Sequence, residues 1–225
     1  AGAADAGGTA STDGGSSVTM AAGEGGSGCP GIAIMPDATG HVAAGTNSLG
    51  INGSFFTYSD CKDLKSTMNG VGCSDILPDP NAGAFANVGG KICTSGMTST
   101  VTGAWGAGVG FELNDVMGQQ PYDTTMHGVK GFCFLLSGTT IPSTSLRVAF
   151  TTKDNNDNAY FEPVTTPGMH TVLFSDPTFA QGSWVTTKSA WEPTLVVLMQ
   201  FQIPSATAAP VPFDFCIEGL TAVTQ

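Results

Sequence analysis

Phe213-Asp214-Phe215-Cys216-Ile217-Glu218 alternates without a break between apolar side chains and polar or thiol ones. Successive side chains of an extended strand point to opposite faces of a sheet. Phe213, Phe215 and Ile217 therefore share one face, and Asp214, Cys216 and Glu218 the other. Three further segments repeat the pattern. Phe111 and Leu113 oppose Glu112 and Asn114; Leu146, Val148 and Phe150 oppose Arg147 and Ala149; Met199 and Phe201 oppose Gln200 and Gln202. A period of two marks a half-buried strand, and no window carries a 3.6-residue apolar stripe.

Working outward, candidate strands are Ile51–Tyr58, Val109–Asn114, Val129–Leu136, Ser145–Thr151, Met169–Phe174, Leu195–Ile203 and Phe213–Glu218, each bounded by Gly, Pro, Asn or Asp. Strands at this spacing need two sheets to share a core. The expected fold of residues 29–225 is an all-β, two-sheet antiparallel β-sandwich. Ser59 to Thr100 holds three cysteines and reads as long loops pinned by disulfides. Residues 1–28 contain nine glycines among Ala, Ser, Thr and Asp, the composition of a linker. Val18 and Met20 stand two apart and on a strand would point to one side. That is a minimal donor strand for another subunit, so tether and assembly tail both remain open.

The chain has 225 residues, with 18 Asp+Glu against 7 Lys+Arg and a net charge of −11. Charged residues make up 11%, against about 25% in an average soluble protein. Phosphate recognition needs clusters of Lys and Arg, so nucleic acid is not expected as a partner, and anionic membrane surfaces are disfavoured for the same reason. No apolar run approaches the roughly 18 residues of a transmembrane segment. The six cysteines, at 29, 61, 73, 93, 133 and 216, form no CxxC and fit neither a zinc ribbon nor a haem attachment site. Three disulfides made in an oxidising compartment are expected. Cys133 and Cys216 are both mid-strand and are expected to bridge; Cys29, Cys61, Cys73 and Cys93 leave three pairings open. The sequence starts at Ala1 rather than Met, which reads as an exported, extracellular or cell-surface protein after loss of its signal peptide.

If the alternating strands are neighbours, Glu112, Arg147, Gln200, Gln202 and Asp214 gather on one surface. Amide, guanidinium and carboxylate groups make directional hydrogen bonds, which suits the hydroxyls of a sugar. A mid-strand Arg147 needs acceptors, and a carboxylate of Glu112 or Asp214 is expected within reach. Asp154-Asn155-Asn156-Asp157-Asn158 is an oxygen-rich run of the kind that holds a hard cation such as Ca²⁺, and equally of the kind that forms turns. Tyr160 beside it, with Trp184 and Trp191 in later loops, would supply stacking faces for sugar rings. Trp105 is expected in the core. HExxH, GxSxG and a P-loop are absent, and His41, His127 and His170 stand alone, so no catalysis is expected.

Four stretches carry a family resemblance: Trp105-Gly106-Ala107-Gly108-Val109-Gly110-Phe111-Glu112-Leu113-Asn114; Tyr122-Asp123 followed by Gly128-Val129-Lys130-Gly131-Phe132-Cys133-Phe134; Gln200-Phe201-Gln202; and the closing Phe213–Glu218. With Asn47–Tyr58 they resemble the galactose-binding-like jelly rolls of bacterial secreted proteins and carbohydrate-binding modules, and myxobacterial-type surface proteins. The resemblance implies a jelly-roll sandwich, a glycan-binding face and a structural calcium ion. Asp154, Asn156, Asp157, Asn47 and Glu218 are the candidate ligands of that ion. The expected function is non-catalytic extracellular carbohydrate binding. The alternative is a structural subunit of an extracellular fibre or surface layer, joined to its own copies through the N-terminal tail.

Overall fold

Side-chain burial follows the alternation in Phe213–Glu218. In the computed structural model, which describes residues 28–62, 72–80, 85, 87–143, 145–155 and 158–225, Phe213, Phe215 and Ile217 are buried while Asp214, Cys216 and Glu218 are half-exposed. The strands in chain order are β1 (Ile32–Ala33), β2 (His41–Val42), β3 (Gly53–Ser59), β4 (Asp75–Leu77), β5 (Lys91–Met97), β6 (Gly106–Glu112), β7 (Gly131–Thr140), β8 (Arg147–Thr152), β9 (Tyr160–Pro163), β10 (Gly168–Leu173), β11 (Ala180–Gln181), β12 (Val196–Pro204) and β13 (Pro212–Val223). They form two antiparallel sheets packed as an open sandwich. The first sheet runs β10-β7-β13-β5-β4, with β1 also on β13. The second runs β11-β9-β8-β12-β6-β3-β2.

One core joins the inner faces. Phe134 of β7 meets Phe201 of β12 edge to face at 4.9 Å, and Phe132 of β7 stacks on Phe150 of β8 at 5.5 Å. Phe55 of β3 stacks on its register partner Phe111 at 4.4 Å within the second sheet. Offset and edge-on pairs of this kind add to the area term that buries them. The long β13 serves β7 along one edge, and β5 and then β1 along the other. Its register with β7 slips between Glu218 and Thr221, where Gly219 takes φ +56°, a left-handed conformation that suits glycine.

Two expectations are corrected. Ser59–Thr100 is not loop throughout, because it contains β4 and β5, and β5 lies between β13 and β4 inside the first sheet. The bridge Cys133–Cys216 does not form. Although β7 and β13 are neighbours, their register puts Cys133 opposite Thr221 and Cys216 opposite Ser137. Cys216 faces Cys93 directly across the β5–β13 pair and bonds it, with the Cα atoms 4.0 Å apart. Cys133 bonds Cys29, and Cys61 bonds Cys73. All six cysteines are thus used. Val18 and Met20 lie outside the described residues.

Beside Cys61, Asp60 is fully buried and ties three elements together. It accepts hydrogen bonds from the Ser74 N–H (2.6 Å), the Ser74 hydroxyl (3.0 Å) and the Gly106 N–H at the start of β6 (2.8 Å).

Candidate binding face on the second sheet

The register of the second sheet aligns outward-pointing residues in rows. Tyr58 pairs with Gly108, Gly108 with Gln202, and Gln202 with Arg147. In the next row Phe56 pairs with Gly110, Gly110 with Gln200, Gln200 with Ala149 and Ala149 with Phe161. The intervening Val109, Phe201 and Val148 are wholly buried and point into the core, which fixes these rows on the outer face.

Two glycines shape one side of this face. A Cβ on Gly110 would lie 2.8 Å from Cε1 and Cε2 of Phe56, and one on Gly108 would lie 2.9 Å from Cζ of Tyr58. Lacking side chains, they let both rings lie down across β6. Trp105, just before β6, continues the row by stacking on Tyr58 with centroids 5.7 Å apart and planes 24° from parallel. Trp105 is 38% exposed, so it belongs to this outer platform and not to the core as expected.

Arg147 borders the other side. Its Nε and one Nη donate to the same Gln202 Oε1, at 2.8 and 2.5 Å. The guanidinium carbon sits 4.6 Å from the ring centre of Phe161 and 5.2 Å from that of Trp184, distances at which a cation is drawn to an aromatic face. Phe161 and Trp184 stack on each other at 5.6 Å and 10°. The indole passes so close over Gly182 that a Cβ there would lie 2.5 Å from Cε2. Trp184 itself is 62% exposed. Polar groups in the middle are therefore bounded by Phe56, Tyr58 and Trp105 on one flank and by Phe161 and Trp184 on the other.

Burial sets the electrostatics. It lowers the Arg147 pKa from the usual arginine value, and it pushes the Tyr58 phenol far up. The Tyr58 hydroxyl is buried without a hydrogen-bond partner. Further along β6, Glu112 is half-buried, and its carboxyl is raised by burial first and by the neighbouring Asp115 second. A cavity of about 820 Å³ adjoins the platform at the β3 edge, where Phe56, Tyr58, Ile76, Leu77, Asp75 and Asp79 are among its walls.

Of the expected site residues, Glu112, Arg147, Gln200 and Gln202 share the second sheet's outer face, and Trp184 joins them from its loop. Asp214 does not. It lies on β13 in the first sheet and accepts from the Thr139 hydroxyl. Arg147 accordingly has Gln202 as its partner in place of a carboxylate. Tyr160 and Trp191 pack together inside, in a cluster with Phe150, Phe174 and Phe179, because Tyr160 pairs with the inward Phe150 and so points away from Phe161. Phe56, Tyr58 and Phe161 were not anticipated. The signal for Phe56 and Tyr58 was Gly106-x-Gly108-x-Gly110, alternate glycines that clear one face of a strand.

Asp154 is exposed, whereas Asn156 and Asp157 lie outside the described residues. Asn47 uses its side-chain oxygen on the N–H groups of Leu49 and Ile51. Glu218, on the first sheet, pairs with Lys91 at 2.9 Å and accepts from Ser137; the latter bond, then Lys91, holds its carboxyl below the usual range. Among the described residues no three His, Cys, Asp or Glu come together as a metal site, and no helix is long and apolar enough to cross a membrane. In comparisons with known proteins, no family model matches the chain and no curated relative is detected.

Proposed function

We propose that this protein is a non-catalytic carbohydrate-binding domain whose ligand lies across the outer face of the second sheet. The observation that carries the reading is the arrangement of aromatic rings around Arg147, Gln200 and Gln202 on a face turned to solvent. Sugar rings offer C–H faces that stack on aromatic planes and hydroxyls that need directional donors and acceptors, and this face supplies both in one strip. A merely solvated sheet face has no need of exposed Trp184 or Trp105. Three disulfides agree with an extracellular or cell-surface site of action, and a galactose-binding-like ancestry would fit the sandwich.

The test is a glycan array followed by calorimetric titration of the oligosaccharide that binds best. Trp184→Ala and Trp105→Ala should each weaken binding about tenfold, the equivalent of one good stacking contact. Absence of any bound oligosaccharide, or full affinity in both variants, would overturn the proposal.

A further inference from the structure

Arg147 is the chain's only arginine, beside six lysines. It is half-buried in mid-sheet, and among the described residues no carboxylate lies within ion-pair distance; the ion pair found there is Lys91–Glu218. A guanidinium withdrawn from water without a counter-ion is costly to the free protein. Its Nε and one Nη both donate to Gln202, so among the described residues the donors left over are the other Nη and the second N–H of the bonded one, at the two-Nη end. That end is a pair of parallel donors matched to the two oxygens of a carboxylate.

The neighbours in the row sharpen the match. Because Oε1 of Gln202 is taken by Arg147, the amide presents its NH₂ donors to the surroundings. Tyr58, in the same row, keeps its hydroxyl buried and presents only its ring. Gln202 and Arg147 thus form a pair rich in donors, and such a pair is complementary to an acceptor-rich anion. The rings of Phe161 and Trp184 cover the guanidinium and limit competition from water. With a net charge of −11 the protein as a whole repels anions, so the recognition has to be local to this fork.

We infer that the sugar bound at this face is an acidic one, a uronic-acid residue whose carboxylate is received end-on by Arg147, with Gln202 as the supporting donor. This rests on the carbohydrate-binding reading above and specifies its ligand class. Phe161 and Trp184 act as positioning residues that hold the guanidinium in place.

The experiment compares oligomers of galacturonic, glucuronic and mannuronic acid with the same oligomers after chemical reduction of the carboxyl to the alcohol, by calorimetric titration against the full chain. The expected result is a preference of about 10- to 100-fold for one acidic oligomer over its reduced form, as befits a charge-assisted pair. The preference should vanish in Arg147→Gln and fall in Arg147→Lys, which keeps the charge but loses the fork. The ligand-side comparison needs no mutant, so misfolding of a variant cannot hide the answer. Equal binding of acidic and reduced forms would overturn this inference and leave the carbohydrate proposal standing. Binding of neither form, nor of any array glycan, would overturn both. An acid preference that survives in folded Arg147→Gln would remove Arg147 from the role, and equal binding of an acidic peptide would refute sugar as the ligand class.

Discussion

Gly182→Ala tests whether the Trp184 indole is positioned as described. The added methyl would sit 2.5 Å from Cε2 and nearer still to Cζ2 and Cη2, so the indole has to swing away. Swinging away gives up the stack on Phe161, about 0.5–1.5 kcal/mol, and the indole's share of the cation–π contact, about 0.5–1 kcal/mol at an exposed site. Replacing glycine also restricts the unfolded chain, which returns about 0.4–1 kcal/mol. The net loss of stability is therefore only about 0–2 kcal/mol, a fall in Tm of roughly 0–8 °C for a fold of this size. Ligand affinity should fall by about tenfold, as in Trp184→Ala, because the same ring is lost from the face. Thermal unfolding followed by circular dichroism reads the first quantity, and glycan titration the second. Undiminished glycan affinity would refute the placement of Trp184. A destabilisation above about 3 kcal/mol would show that the backbone, and not the indole, requires this glycine.

The disulfides should differ in weight. In the chain-entropy relation, Cys93–Cys216 closes 123 residues and contributes about 5 kcal/mol, against about 3 for the 12-residue Cys61–Cys73 loop; denaturant titration of the paired Ala variants should rank them in that order. Asp60→Ala leaves the Ser74 and Gly106 N–H groups without their buried acceptor, at roughly 1–3 kcal/mol each, so a loss of about 2–6 kcal/mol is expected in the same assay. Glu112 gives a pH signature. Its carboxyl is raised above the ordinary value of 4.5 by burial and by Asp115, so the folded state binds that proton more tightly than the unfolded one. The penalty is fully present above the raised value and disappears as pH falls to 4.5. Glu112→Gln should stabilise the protein at neutral pH and flatten this part of its pH profile; an unchanged profile would remove the pair from the account.

Seven strands were legible because each gathers Phe, Val, Ile or Leu between Gly, Pro, Asn or Asp, and in Phe213–Glu218 the alternation also separates a buried face from a half-exposed one. The β5 strand was hidden in Lys91-Ile92-Cys93-Thr94-Ser95-Gly96-Met97, where the inward residues are Ile92 and Thr94. A buried Thr is satisfied there by donating to the Leu77 carbonyl at 2.7 Å, a partner that only the fold supplies. Pairing of cysteines failed for a related reason. Alternation assigns a face but not a register, and Cys133 and Cys216 share a sheet face while sitting several residues out of line. Arg147, Gln200 and Gln202 were brought together as alternation required. Asp214 was misplaced because alternation cannot say which sheet a strand joins. The aromatic platform was the least visible part, since Phe56 and Tyr58 look like ordinary strand aromatics until glycines are found opposite them.

The three tryptophans allow the central claim to be read residue by residue. Trp105 and Trp184 flank the outer face of the second sheet, whereas Trp191 packs against Phe150, Phe174 and Phe179. In a ¹⁵N-labelled sample each gives one indole N–H resonance, assigned by Trp→Phe substitution and followed as the best-binding oligosaccharide is added. The account predicts that the Trp184 and Trp105 resonances shift with saturation while Trp191 stays in place. A saturating shift confined to Trp191, or none at Trp184 and Trp105 while the sugar binds, would contradict it.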